Sequence, residues 1–245
     1  MTPDTYLTRL KSDSTRLAEM AAHDLDAEVP PCPGWTVRDV VEHTGAVYSH
    51  KVACMRRPEG PEHVDDWNHA PGDGEDLLGW FQERYDELVT ELTSRGPEAS
   101  SYTWYDPDQT VGFWFRRMAQ ETAVHRVDVE SAFDAVTSVE HDLAVDGIDE
   151  VLDLFLVYQA DDVGPDGPGS GTVAVRTGEH IWRLTLSADD IAMSREPGAA
   201  DAVVSGEPSE LLLWLWGRRP DSAVSIQGDP VALASMRELL AYGTQ

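Results

Sequence analysis

FWFRRMAQETAVHRVDVESAF, residues 113–133, is the stretch whose reading decides the fold. Val111, Trp114, Phe115, Met118 and Val129 recur at helical spacing and predict a helix over about 110–134 with a broad apolar face. Glu121 and His125 are four residues apart, which stacks both side chains on one helix face, where they can grip a single cation. Such a pair is otherwise an ordinary surface interaction. Glu121, however, falls beside Trp114, Met118 and His125 within the apolar sector, and a carboxylate placed there must be paired or must bind a metal. His43, on a separate helical stretch, offers a second imidazole that completes a three-ligand set.

Outward from this segment, three more amphipathic helices are predicted in the amino-terminal half. Thr2-Pro3 caps and opens the first, in which Tyr6, Leu10, Leu17, Met20 and Ala21 recur. Thr36 and Asp39 have capping-box spacing and begin the second, with Val37, Val40, Val41, Thr44, Val47 and Tyr48 as its stripe and His43 at the border. A loop rich in Pro, Gly and acid runs from Pro58 to Gly74; Leu77, Phe81, Tyr85, Leu88 and Leu92 then mark a third helix that Gly96-Pro97 ends. Four such helices form most simply an antiparallel bundle whose interior can hold a metal supplied by facing helices.

The second half changes character. A helix near 146–160 gives way to GPDGPGSG, expected to be flexible, and then TVAVR and IWRLTLS flank a Thr-Gly-Glu-His turn, a hairpin signal. AADAVVSG and SAVSIQ read as further strands, Pro208 opens a short Trp-rich helix, and Asp229-Pro230 opens a last helix to about 241. The expected class is therefore α+β: a four-helix bundle over residues 1–138, followed by a small α+β domain over 139–245.

A chain of 245 residues with 41% hydrophobic content can bury two modest cores. Its net charge of −27 repels phosphate, so no nucleic-acid or anionic-membrane partner is expected. The longest strongly apolar run, LLLWLW at 211–216, is too short to span a bilayer, and a cytoplasmic location is the expectation. Cys32 and Cys54 lack a CxxC spacing and indicate neither a disulfide framework nor a zinc knuckle. No GxSxG, phosphate-binding glycine loop or Rossmann fingerprint occurs, which leaves hydrolase, kinase and nicotinamide chemistry without support.

With PCPGWTVRDVVEHTG, RRMAQETAVHRVD, SGEPSELLLWLWGRRP and IQGDPVAL in view, the chain resembles the mycothiol-dependent maleylpyruvate isomerase family. That resemblance covers essentially the whole chain and implies a DinB-like metal-binding bundle followed by a family-specific α+β domain. It also implies that His43, Glu121 and His125 hold a divalent metal, usually zinc, with mycothiol or a similar thiol as cosubstrate.

Two neutral imidazoles and a carboxylate suit Zn²⁺ and leave open coordination positions, the pattern of a catalytic metal. Coordination would hold an incoming thiol as thiolate at neutral pH. In an isomerase that sulfur adds to the double bond of a maleylpyruvate-like acid, permits rotation and leaves; in a thiol S-transferase it stays attached to an electrophile. A thiol-independent metal-dependent isomerase and a non-catalytic metal-binding protein are the further alternatives. The partners expected are a small acidic or electrophilic substrate and a low-molecular-weight thiol. An acidic substrate needs a cation in so negative a protein, and Arg218 and Arg219 in LWGRRP are the catalytic candidates, against helix C-terminal charge compensation. Arg126 and Asp128 are candidates for orienting the ligands. His50, seven residues after His43, is a core or rim histidine by default, with an acid/base or fourth-ligand role as its alternative.

Overall fold

The structure is a computed structural model, and it describes residues 1–61, 70–72, 75–158, 170–187 and 190–243. His63, His69 and most of the GPDGPGSG segment lie outside the described residues. The chain divides into two compact units, Met1–Thr137 and Ser138–Gln245.

The first unit is a bundle of α1 (Pro3–Ala21), α2 (Val37–Arg56), α3 (Leu77–Arg95) and α4 (Val111–Ser131). Local chemistry sets the helix ends. The Thr5 amide donates to Thr2 Oγ1 at 3.2 Å, with Pro3 in the first turn. Thr36 and Asp39 form a reciprocal capping box, in which the Thr36 amide donates to Asp39 Oδ2 at 2.7 Å and the Asp39 amide to Thr36 Oγ1 at 3.4 Å. Gly96 ends α3 with φ +78°, a left-handed conformation that favours glycine.

Side-chain partners give the helix directions. Asp13 and Arg16 of α1 pair with Arg126 and Glu130 of α4, so those two helices run parallel. Tyr48 meets Phe81 and Tyr85, and Arg56 meets Glu87 and Glu91, so α2 and α3 also run parallel. His43 meets Glu121 whereas Lys51, further along α2, meets the earlier Trp114, so the two pairs are antiparallel to one another. A parallel α2–α3 pair needs a connection long enough to return along the bundle, which accounts for the number of residues between Arg56 and Leu77.

Leu10, Leu17, Tyr48, Phe81, Leu88, Leu92, Trp114 and Met118 are fully buried and form the core of this unit. Each such side chain contributes about 1.5–3 kcal/mol by leaving water. Between Val111 and Glu130, α4 is buried at every position except Gly112, Arg116 and Glu121. The apolar sector read from the sequence is therefore only part of its buried surface. Arg117, Gln120, Thr122, His125, Arg126, Asp128 and Glu130 are buried too. Polar groups at that depth need partners: Arg117 and His125 pair with Glu121, Asp128 with His125, Arg126 with Glu130, and Thr122 with Tyr48.

In the second unit, α5 (His141–Glu150) starts earlier than the apolar pattern predicts and passes into a π-helical segment, Val151–Val157. The five strands are β1 (Gly171–Thr177), β2 (His180–Leu186), β3 (Ile191–Ser194), β4 (Ala202–Ser205) and β5 (Ser225–Gly228). They form one sheet in the order β3-β2-β1-β4-β5, in which only β1 and β4 pair in parallel. The β1–β2 hairpin closes at Gly178-Glu179, where Gly178 has φ +54°. β3 is the strand that the sequence signals miss, because four residues show too little alternation to stand out.

Helices α6 (Pro208–Leu215) and α7 (Pro230–Gly243) complete the unit, and α7 packs on β1 and β4. Gly217, at φ +72°, closes α6 in a Schellman turn: the Arg218 amide donates to Leu213 O at 2.7 Å and the Gly217 amide to Trp214 O at 3.0 Å. Asp229 caps α7 by accepting from the Val231 amide at 2.9 Å. The architecture is α+β, a four-helix bundle followed by a small α+β unit. No described helix is long and apolar enough to cross a membrane.

Candidate metal centre

The segment before α2 sets one side of the site. Within PPCPGW the Trp35 amide donates to Cys32 O and the Val29 amide to Trp35 O, and Gly34 takes φ +86° to close the loop. This seats the Trp35 ring edge-on to His43, with centroids 5.3 Å apart, and leaves Thr36 to cap the helix that carries His43. Across from it, one face of α4 presents Glu121 and His125. His43 Nε2 lies 3.3 Å and His125 Nε2 3.2 Å from Glu121 Oε1. All three ligand atoms lie within 4.8 Å of one another.

The two separations from Glu121 Oε1 fit a small cation. Zinc bonds of about 2.0–2.2 Å at tetrahedral angles put neighbouring donor atoms about 3.3 Å apart, and the donor set of two imidazoles and one carboxylate is one that zinc accepts. The His43 side chain is 39% exposed, against 16% for Glu121 and 10% for His125, so the site opens on the His43 side.

Two further side chains hold the donors in place. Asp128, fully buried, has Oδ2 3.0 Å from His125 Nδ1; accepting that N–H fixes the tautomer that turns Nε2 toward Glu121. Arg117 donates from Nη2 to Glu121 Oε2 at 2.6 Å and leaves Oε1 facing the histidines. Burial alone would raise the Glu121 pKa, but the charge and hydrogen bonds of His125, the hydrogen bond of His43 and the Arg117 guanidinium outweigh it and hold the carboxyl well below its usual range. Burial likewise disfavours charge on His125, yet Glu121 and Asp128 push it up to about 9. The carboxylate is thus ionised and surrounded by positive charge, an environment in which a divalent cation can take over the role of the His125 proton.

The amino-terminal half, residues 7–130, matches the family model described as "Mycothiol maleylpyruvate isomerase N-terminal domain", and residues 142–235 match "MDMPI C-terminal domain". The chain belongs to the mycothiol maleylpyruvate isomerase family. The family's amino-terminal region includes all three candidate ligands, and Arg218 and Arg219 fall in the carboxy-terminal one. A crystal structure of a His-to-Ala mutant of the mycothiol-dependent maleylpyruvate isomerase is similar over 94% of this chain and 95% of its own, with a TM-score of 0.61 and 13% identity. A crystal structure of that isomerase without the mutation gives 0.57 at 14% identity over the same shares. At such identities the likeness is one of fold. No curated protein matches this sequence.

Asp128 touches His125, as its spacing suggests. Arg126 does not orient a ligand and is no surface residue either: only 3% exposed, it donates to Asp13 at 3.1 Å, Glu130 at 2.7 Å and Thr137 O at 2.7 Å. His50 stands outside the trio, with Lys51 Nζ 2.9 Å from its Nδ1 and Cys54 Sγ 3.8 Å from its Nε2. Burial and the Lys51 charge push its pKa down to about 4, so it is neutral at pH 7. In the second unit, Arg218 Nη1 donates to Trp216 O at 2.7 Å and Arg219 Nε to Glu210 Oε2 at 3.0 Å. The Arg218 contact compensates the C-terminus of α6, the Arg219 contact is an ion pair with a first-turn carboxylate, and both arginines keep a substrate role only as a proposal. Arg117 was legible as an i,i+4 partner of Glu121 but is absent from the residues that the sequence singles out.

Proposed function

We propose that this protein is a zinc-dependent enzyme that uses mycothiol or a similar low-molecular-weight thiol to isomerise a maleylpyruvate-like cis acid to its trans form. The observation that carries the reading is the convergence of His43 Nε2 and His125 Nε2 on Glu121 Oε1, in a chain both of whose halves match models of this family. The similar crystal structures are of the mycothiol-dependent maleylpyruvate isomerase, which supports the substrate and thiol by likeness.

His43, Glu121 and His125 would hold the ion. When bound, it supplies Lewis acidity that favours the thiolate form of a nearby thiol. The chain's own residues do the rest. Asp128 keeps the proton on His125 Nδ1, Arg117 keeps Glu121 in one orientation, and the exposed edge of His43 is the side from which thiol and substrate arrive. The sulfur adds to the carbon–carbon double bond, the resulting single bond rotates, and elimination returns the thiol with the trans acid.

An external thiol is required because the chain's own cysteines are poorly suited. Cys54 is buried and its thiol is pushed up to about 11, chiefly by desolvation, so it is not a thiolate at neutral pH. It also follows His43 by eleven residues, about 16 Å along the helix axis. Cys32 is enclosed by prolines in the loop before α2.

The test is metal analysis together with conversion of maleylpyruvate, with and without mycothiol. The expected result is about one zinc per chain, sharp loss of metal in His43→Ala, Glu121→Ala and His125→Ala, and turnover that needs thiol and survives Cys32→Ser with Cys54→Ser. Full metal retention in all three ligand variants, or robust thiol-free turnover, overturns the reading. Thiol conjugated to a neutral electrophile without isomerisation would make the protein a transferase that uses the same activated sulfur.

A further inference from the structure

Lys51 is one of only two lysines in a chain with sixteen arginines, and it lies on the α2–α4 seam that carries His43, Glu121 and His125. Along α4 the order is Trp114, Arg117, Glu121, at helical spacings that share a face. Arg117 is joined to Glu121, and the Lys51 ammonium sits 5.0 Å from the centroid of the Trp114 ring. Its other contact is His50 Nδ1 at 2.9 Å. Lys51 follows His43 by eight residues, about 12 Å along the axis, but helical side chains lean toward the helix N-terminus, which carries the ammonium back toward His43.

An ammonium has three N–H donors and no acceptor. Among the described residues, the groups in contact with this one are a neutral imidazole and an indole face, which supply an acceptor atom and a cation–π contact but no formal negative charge. Burial pushes the Lys51 pKa down, and Cys54 and the more distant Glu121 carboxylate offset this only in part, with Arg117 opposing. Lys51 is only half-buried. A half-buried ammonium so placed, along one seam from a candidate metal centre, gains most from a carboxylate that the ligand brings.

We propose that Lys51 binds one carboxylate of a dicarboxylic acid whose other end lies at the His43–Glu121–His125 centre, and so makes the site selective for diacids over monoacids and neutral electrophiles. This rests on the reading above for the reaction, but the binding itself does not require turnover.

The experiment uses the zinc-loaded full chain and calorimetric titration with maleate, the probe diacid, and with acrylate as a monoacid control. Lys51→Met is expected to weaken maleate binding by about tenfold or more, the loss typical of a hydrogen bond to a charged group. Acrylate binding and zinc content should be unchanged, and Lys51→Arg should recover part of the maleate affinity. In turnover the same variants should raise KM for the diacid more than they lower kcat. Unchanged maleate affinity in Lys51→Met, equal losses for maleate and acrylate, or no maleate binding by wild-type protein each overturn the proposal. Lys51-dependent maleate binding in a protein that fails to isomerise maleylpyruvate would uphold it while removing the proposed reaction.

Discussion

Replacing Asp128 by Asn tests whether the candidate metal centre is organised from its second layer. Asp128 Oδ2 is 3.0 Å from His125 Nδ1, and both groups are buried. A hydrogen bond to a charged group contributes about 1.5–3 kcal/mol against about 0.5–1.5 for a neutral pair. The isosteric Asn keeps an acceptor but loses the charge, so zinc affinity should fall by roughly tenfold, within the range found for changes to groups that orient metal-bound histidines. The pH dependence sharpens the test. Without metal, His125 holds a proton up to about pH 9, and Asp128 helps to hold it. At pH 7 zinc must displace that proton, and Asp128→Asn weakens the competing proton along with the metal. The two effects oppose, and the deficit should be small at pH 7 and reach its full size above pH 9, where the proton has already gone. Competition against a chelator of known affinity at both pH values measures this. Equal affinities above pH 9, or a deficit larger at pH 7 than there, would refute the role given to Asp128.

Glu130→Gln should destabilise the bundle by about 2–3 kcal/mol at neutral pH, as expected when one partner of a buried ion pair loses its charge but keeps an acceptor. Burial opposes ionisation of Glu130, but the Thr137 amide, Arg16 and Arg126 hold its pKa below the ordinary value; the stabilisation is therefore present above the unfolded-state pKa and lost as pH falls through the lower folded value. Urea unfolding of both proteins from pH 7 to pH 3 should show the gap closing below about pH 4.5, and a gap that stays constant would contradict the assignment. In the second unit, Gly228→Ala should cost about 2–4 kcal/mol, because Gly228 has φ +97° and an added Cβ would fall 2.1 Å from the Asp201 carbonyl oxygen. An unchanged urea midpoint would show that the β4–β5 edge relaxes freely.

Much of the secondary structure was legible because its signals are local. The Thr2 and Thr36 caps, the Gly96 stop and the Asp229-Pro230 start each act within a few residues, and each appears in the structure as its sequence predicts. What escaped depends on partners distant in sequence. The parallel course of α2 and α3 is fixed by tertiary contacts such as Arg56 to Glu91, which no periodicity encodes. β3 exists because Ile191–Ser194 pairs with Arg183–Leu186, and four residues carry too weak a pattern to announce it. Arg126 illustrates the same limit in the bundle. Its place beside His125 in sequence pointed to the ligands, yet the helix turns it about 100° away, toward Asp13 on α1.

The candidate centre was legible to the extent that it rests on one helix. Glu121 and His125 could be read as a pair from spacing and Asp128 as their neighbour, whereas Lys51 required the α2–α4 register. Global charge also misleads at this scale. A net charge of −27 describes the far field, which repels anions in general. Within a few ångströms of Glu121, however, lie the Arg117 guanidinium and His125, and along the same seam Lys51, so positive charge is concentrated at the site. An acidic substrate can then meet positive charge within the bundle itself, which holds three candidate metal donors, the Lys51 ammonium and a buried carboxylate behind His125. Long-range repulsion and short-range attraction can coexist because screening confines the former to about 8 Å at physiological salt, while a half-buried ammonium acts at contact distance, where screening is weak.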